Sequence, residues 1–542
     1  MTQNEEDFLL QRDLQHLFTR NLESENWICV YHSFTNALQD GAFFSALVPN
    51  EKVPSILRKY AWDITIGRVG PSISVSYNDG KEIPEYHHYT EGGQIQPIVL
   101  MRSFYNVRPS YFEIQEEFRL FHNLYHDAAK NKYIKIHDDG NEEEIVLVGE
   151  KSARIRTRAL REYAAIKNMS IVLFVDSVRY SSIALETILE SKRYIEYHGD
   201  NSTYVVNLID NHVSKSKEKQ TLSRLLGKRI IKALSKEKVE IWPYKPKLET
   251  YESFIIGLGK DGDPMMYSSD PDKLANYFGA NPKAPHYLTP VFFRKEVLNK
   301  YYAQPQKYEV TDGQLYCGCL WGLRIDNNHK DYVIVYLGDL GRDLSHSEQS
   351  YWKTFNIPPE GGVSNTCYRR SIMGEFADPE APDLRFKMEL SRFKSEWKKK
   401  HHWPLFLELV PKDQHLLTAL HLPTTADQSE FDNQVLALTK ILVDSLNEAE
   451  LAKHISVCPP AAKGIDKLEM FLRESSSPVG ESLVSFLRDL QALRSTGSGH
   501  RKGKKYEKVA QRFDIGNKDL QQVFTNILFD AISTLTALNT EE

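Results

Sequence analysis

The chain is short of the features that mark several classes of protein. It has five cysteines in 542 residues, Cys29, Cys317, Cys319, Cys367 and Cys458. An odd number spread over the length argues against a disulfide framework and for free thiols in a reducing compartment, with the cytoplasm as the natural home. No apolar run approaches the ~18 residues that a membrane helix needs; the longest, such as Ile171 to Val175, are strand length. Net charge is small, at −5, so no global field draws the chain to nucleic acid or to a membrane, and any such attraction must be local. The N-terminal MTQNEEDFLLQRDLQHLF lacks the basic flank and apolar stretch of a signal peptide and reads as part of the folded protein. A Walker A loop, a dinucleotide fingerprint and a nucleophile elbow are missing, as is any internal repeat of about 20 to 50 residues.

What is there suits ordinary folded domains. Apolar residues make up 41% and charged residues 26% of the chain, near the averages for proteins that bury enough surface to offset chain entropy. At ~150 residues per domain the length allows two to four domains. The expected fold class is multidomain, with mixed α/β N-terminal and middle regions and an all-α C-terminal helical bundle. Residues 1–242 read as an α/β domain, possibly with two subdomains, for sensing or binding. A helix is expected near Asp7 to Leu22, and YIKIHDDGNEEEIVLV is a hairpin turning at Asp139-Gly140. RTRALREYAAIKN predicts a helix leading into SIVLFVD, a strand ending in Asp176 where a ligand or a helix cap is expected. Between Lys215 and Lys238, Leu222, Leu225, Leu226, Ile230, Ala233 and Leu234 fall at helical spacing among nine Lys/Arg and two Glu. This predicts a basic amphipathic helix, for which a solvated face is a simpler account than a phosphate-binding one.

EIWPYKPKLET marks a boundary near Pro243 to Pro246. Residues 247–425 read as an α+β domain with strands at DYVIVYLGDL and PLFLELV and a loop at IPPEGGVSN. From 430 to 542 the texture is helical: DNQVLALTKILVDSLNEAE, GIDKLEMFLRE, GESLVSFLRDLQALR and KDLQQVFTNILFDAISTLTAL.

The strongest candidate site lies between the last two long helices, in LRSTGSGHRKGKKYEK. Arg494 is expected to close one helix, with His500, Arg501, Lys502, Lys504, Lys505 and Lys508 following among glycines. Arg488 to Arg512 holds eight Lys/Arg against Asp489 and Glu507, a local positive excess that attracts phosphate. Glycines let backbone amides approach an anion, arginine offers a planar fork to phosphate, and histidine moves protons near neutral pH. Metal-free RNA cleavage needs a base for the 2′-hydroxyl, an acid for the leaving oxygen and a cation for the developing charge. One Arg-His pair supplies part of that set.

Arg494, five residues, then His500 at a helix junction near the C-terminus resembles the Arg, four to six residues, His motif of HEPN domains. Two other matches to that four-to-six range, Arg193 to His198 and Arg119 to His126, lack the helical, basic setting. The resemblance covers about residues 430 to 540. It implies a four- or five-helix bundle that dimerises so that two Arg-His pairs share a cleft, and metal-independent endoribonuclease activity without a cofactor, often in defence against phage. Asp489 or Gln491 would be the supporting polar residue one turn before the arginine. Ser495 departs from the amide-bearing or acidic residue that follows the arginine in many active members.

The leading expectation is therefore an effector in which N-terminal domains answer an unknown ligand or protein trigger and a C-terminal homodimer cleaves RNA. His500 would serve as acid-base residue, Arg494 would stabilise phosphorane charge, and Arg501, Lys502, Lys504 and Lys505 would hold the RNA backbone. One rival is a non-catalytic regulator or scaffold dimerised by the bundle. Another is a metal-dependent enzyme around Asp339, Arg342 and Asp343, which follow a buried strand where ligands often bind. His122 and His126 stand four apart, as on metal-binding helices, but without the glutamate of the zinc-protease motif. Cys317, Cys319 and Cys367 make too few ligands for structural zinc and read as buried thiols.

Overall fold

Thirteen residues, Met169–Ser181, form the longest strand among the described residues and are paired on both sides along nearly their whole length. Its β-branched and aromatic run suits a strand buried on both faces. The computed structural model describes residues 3–58, 72–87, 95–105, 107–211, 220–239, 250–475, 480–497 and 504–540. The chain divides into two compact units, Met1–Lys247 and Leu248–Glu542.

In unit 1 the strands of the large sheet are β1 (Trp27–Ser33), β2 (Gln39–Pro49), β3 (Tyr125–Asp127), β4 (Lys132–Ile136), β5 (Glu142–Val148), β6 (Ser152–Arg156), β7 (Met169–Ser181), β8 (Tyr194–His198), β9 (Ser202–Asp210) and β10 (Thr221–Ile231). They lie in the order β8-β9-β10-β7-β2-β1-β6-β5-β4-β3, with Gln96–Pro97 added to β2, and all pairings are antiparallel. The β4–β5 hairpin turns as expected, with Gly140 at φ 79°.

The expected helix near Asp7 to Leu22 is two helices, α1 (Gln3–Leu9) and α2 (Arg12–Thr19), broken at Gln11, whose φ is 55°. The break has a cause. Gln11 is fully buried, and its Nε2 donates to the carbonyls of Ser177 at 3.2 Å and Ser223 at 3.1 Å, on the adjacent strands β7 and β10. Phe18 of α2 lies over Gly227 of β10, where a Cβ would meet its ring at 2.1 Å. Burying that ring contributes ~2 kcal/mol, and any larger residue at 227 would forfeit it. The helix α3 (Thr157–Ile166) precedes β7 as anticipated.

Two expectations in this unit fail. The described part of the segment expected as a basic helix, Lys215 to Lys238, is mainly strand β10, and residues 212–219 lie outside the described residues. The leucine spacing misled because β10 is buried on both faces: Ser223, Leu225 and Gly227 point one way, while Lys228 and Ile230 are buried on the other. Adjacent pairs such as Ile230–Ile231 then mimic a helical stripe. Nor does β7 end at Asp176. It runs on to Ser181, and Asp176 is a mid-strand residue paired with Arg224 across the ladder.

Unit 2 begins with three small antiparallel sheets: Ser253–Leu258 with Pro264–Ser268, then Pro290–Arg294 between Tyr332–Tyr336 and Asn356–Ile357, then Tyr308–Val310, Gln314–Cys317 and Trp321–Arg324. The strand in DYVIVYLGDL stops at Tyr336, where α4 (Leu337–Asp343) starts, followed by α5 (His346–Lys353). Phe254, Phe293, Tyr301, Leu315 and Trp352 share the core here. PLFLELV is no strand, and only Phe406 forms an isolated bridge, to Leu446.

The long helices of the helix-rich region are α6 (Pro382–His401), α7 (Gln428–Thr439), α8 (Gly464–Glu474), α9 (Gly480–Gly497), α10 (Lys504–Arg512) and α11 (Leu520–Thr540), with short ones at His415–Ala419 and Glu448–Lys453. Phe393, Leu438, Leu468, Leu490, Val509 and Phe524 bury into one core. Although the sequence places α6 with the middle region, it packs along α11 within this core. Among the described residues no helix is long and apolar enough to cross a membrane.

Candidate functional site

Helix α9 forms because Leu483, Leu487 and Leu490 recur at four- and three-residue steps and are buried. Arg494 takes the next position of the same stripe, so its side chain is aimed at neighbouring helices and not straight into solvent. It lies in the last turn of α9, which runs to Gly497.

Its Nη1 donates to Asp444 Oδ1 at 2.9 Å and Oδ2 at 2.7 Å, with the two side chains 30% and 40% exposed. Asp444 ends a π-helical turn, Lys440–Asp444, that continues α7. Hydroxyl back-bonds flank this turn, from Thr439 Oγ1 to the Val435 carbonyl and from Ser445 Oγ to the Ile441 carbonyl. Such bonds compete with the regular ladder and favour a widened turn.

The other expected residues are distributed differently. Asp489 lies about 140° round the helix from Arg494 and pairs with Arg512, tying α10 to α9. Gln491 is exposed, and its carbonyl accepts from Ser495 Oγ at 2.8 Å. Lys504 and Lys505 open α10 in place of the expected loop. His500, Arg501 and Lys502 lie outside the described residues. The structure thus joins Arg494 to Asp444, a partner the sequence reading did not name, and separates it from Asp489.

In the middle region Arg342 bridges both carboxylates of the expected group, Asp339 at 3.0 Å and Asp343 at 2.6 Å, and Tyr287 donates to Asp339 at 2.9 Å. Burial raises the Asp339 carboxyl above its usual range. With arginine held between them, the two carboxylates form a closed ionic cluster. Among the described residues no group of three or more His, Cys, Asp or Glu could hold a metal.

His122 and His126 do not share a helical face. The helix Glu116–Phe121 stops before His122, and His126 lies on β3. His122 is buried with Nε2 3.0 Å from the Ala159 carbonyl, and burial holds its pKa down at about 4. His126 stacks on Tyr133. Of the three thiols read as buried, Cys317 is buried, Cys319 is exposed and Cys367 is half-buried.

Two clusters escaped the sequence reading. At the end of α6, His401 stacks on Trp397 with centroids 4.0 Å apart, and His454 stacks on Trp403 at 5.3 Å. The exposed Lys398, Lys399 and Lys400 flank them. The signal was legible in KSEWKKKHHW, where aromatics alternate with cations. Elsewhere the rings of Tyr302 and His421 are parallel at 4.0 Å, and His421 Nε2 lies 3.2 Å from Glu430. Lys295 donates to the carbonyls of Asn327 and His329, and Lys387 to that of Thr418; burial brings both amines down to about 8. Tyr302 meets His421 from far along the chain, and the Lys295 and Lys387 bonds reach 31 to 34 positions, so no local pattern announces them.

No family model matches the chain, and neither a curated protein nor a solved structure matches it.

Proposed function

We propose that the helix-rich region is a HEPN-like bundle that binds RNA backbone and cleaves it without a metal ion, as a homodimer in which two copies of the Arg494 to His500 segment share one cleft. The observation that carries this reading is the hold on Arg494: a guanidinium at the end of a buried stripe, fixed through one nitrogen by Asp444, immediately before a segment rich in cations. A guanidinium fixed in direction before substrate arrives stabilises developing charge with little reorganisation. His500 exchanges the proton, and Arg501, Lys502, Lys504 and Lys505 take the phosphates. The lysines and imidazoles at the end of α6 add a second surface suited to a single strand. Unit 1 then responds to the trigger, and the RNA cut arrests growth in defence against phage.

The test is incubation of the purified chain and its His500→Ala variant with cellular RNA in EDTA. The proposal expects cleavage by the parent, none by the variant, and a dimer by light scattering. Cleavage that survives in the variant, or that needs a divalent ion, overturns it.

A binding role without cleavage is favoured by the same ion pair, because Asp444 already offsets much of the Arg494 charge. Retention of RNA by a chain that never cuts it selects that reading.

A further inference from the structure

The large sheet of unit 1 opens between β1 and β2. β1 and β2 pair only at His32–Phe43 and Ser33–Ala42. Beyond that point β2 turns to Gln96–Pro97, through Ala46 and Leu47, and the first half of β1 is left without β2 beside it. The cleft between them has a volume of about 220 Å³. Leu17, Leu22, Ile28, Phe43 and Leu173 make its apolar wall.

Two cations stand over this wall. Arg154 is the ladder partner of Cys29, which also lines the cleft. It is exposed and has no hydrogen-bond or ion-pair partner among the described residues. Arg20 is held by Glu25 at 3.1 Å, leaving a net positive charge in the group. Burial pushes the Cys29 thiol up to about 11, so the sulfur is a neutral part of the wall.

Apolar walls select an apolar body, and an arginine without a partner selects an anion. Size narrows the choice further. A cavity of roughly 150 Å³ admits benzene, so the cleft suits a body of about one to two rings.

We infer that the cleft between β1 and β2 binds a small aromatic monoanion, with its rings against Leu22, Phe43 and Leu173 and its charged group on Arg154. This is independent of RNA cleavage and adds a ligand site to unit 1.

The experiment is calorimetric titration of the full chain with indole-3-acetate, with its neutral amide and with acetate. Saturable binding is expected for indole-3-acetate alone. It should weaken about ten-fold or more in Arg154→Met, the effect of losing one charge-assisted contact. Leu173→Trp, which fills the cleft, should abolish it. Arg154 is on the surface, so its variant should melt at the parent temperature, which separates lost binding from lost folding. Absence of saturable heat at millimolar indole-3-acetate overturns the inference, as does an affinity unchanged in Arg154→Met.

Discussion

The two units differ in what anchors their interior polar groups: unit 1 leans on donors, whereas unit 2, although Lys295 and Lys387 also donate to carbonyls there, adds carboxylate hubs. In unit 1 the buried side chains donate to backbone carbonyls: Gln11 to Ser177 and Ser223, Arg179 to Phe8, Lys228 to Ile56. In unit 2 the hubs are carboxylates that accept. Asp326 takes the amide and hydroxyl of Ser364, Glu348 takes Lys300 and Tyr301, and Glu430 takes Thr424, Thr425 and His421. The accepting carbonyls of unit 1 lie within strands β7 and β10 and in short helices, at Phe8 and Ile56, whereas loops entering helices in unit 2 leave amides that need an acceptor. The lesson is chemical: unit 2 carries its polar interior in groups that acid can neutralise, and unit 1 mostly does not.

The largest break in that comparison should come from Glu348→Gln. Glu348 is 1% exposed and accepts from Tyr301 at 2.7 Å. Leaving Lys300 without its counter-charge should cost about 3 kcal/mol, read as a lower denaturation midpoint for unit 2 with unit 1 unchanged by hydrogen exchange. Acid should act next. Burial works to raise the Glu430 pKa, but bonds from His421, Thr424 and Thr425 outweigh it and hold the group at about 2. Its stabilisation is present above the unfolded value of about 4.5 and is lost as pH falls from there toward 2. The loss should be about 2 to 3 kcal/mol and absent in Glu430→Gln.

Two smaller tests sharpen the contrast. Gln11→Ala should cost unit 1 about 1 to 2 kcal/mol at every pH between 5 and 9, since no group there titrates with it; a pH-dependent penalty would contradict the donor account. Unit 1 has its own acid-sensitive groups, and the buried His122 is the clearest. Burial depresses its pKa from 6.5 to about 4, so the folded state favours the neutral ring, and stability falls as pH drops through that window. His122→Gln should flatten that slope. The smallest effect belongs to the half-exposed pair: Asp444→Ala should change stability by less than about 1 kcal/mol, while on the proposed function it slows RNA cleavage.

Much of the helix-rich region was legible because its apolar stripes face one core and its caps are local. GIDKLEMFLRE became α8 with the same ends, and KDLQQVF opens α11 within two residues. The sheet was less legible, because β10 is buried on both faces and loses the alternation that reveals a strand. The candidate site was readable as a position and as a charge, through Arg494 and the cations after it. Its partner was not: Asp444 lies fifty residues away and is brought round by a widened turn that no spacing rule anticipates.

That turn, Lys440–Asp444, is in effect one residue inserted into a helix. Each added residue swings everything after it by about 100°. Deleting a single position there, such as Lys440, would restore the regular winding, keep the apolar composition of the segment and carry the carboxylate away from the guanidinium. Segment length, more than the identity of any one side chain, thus sets whether Asp444 meets Arg494.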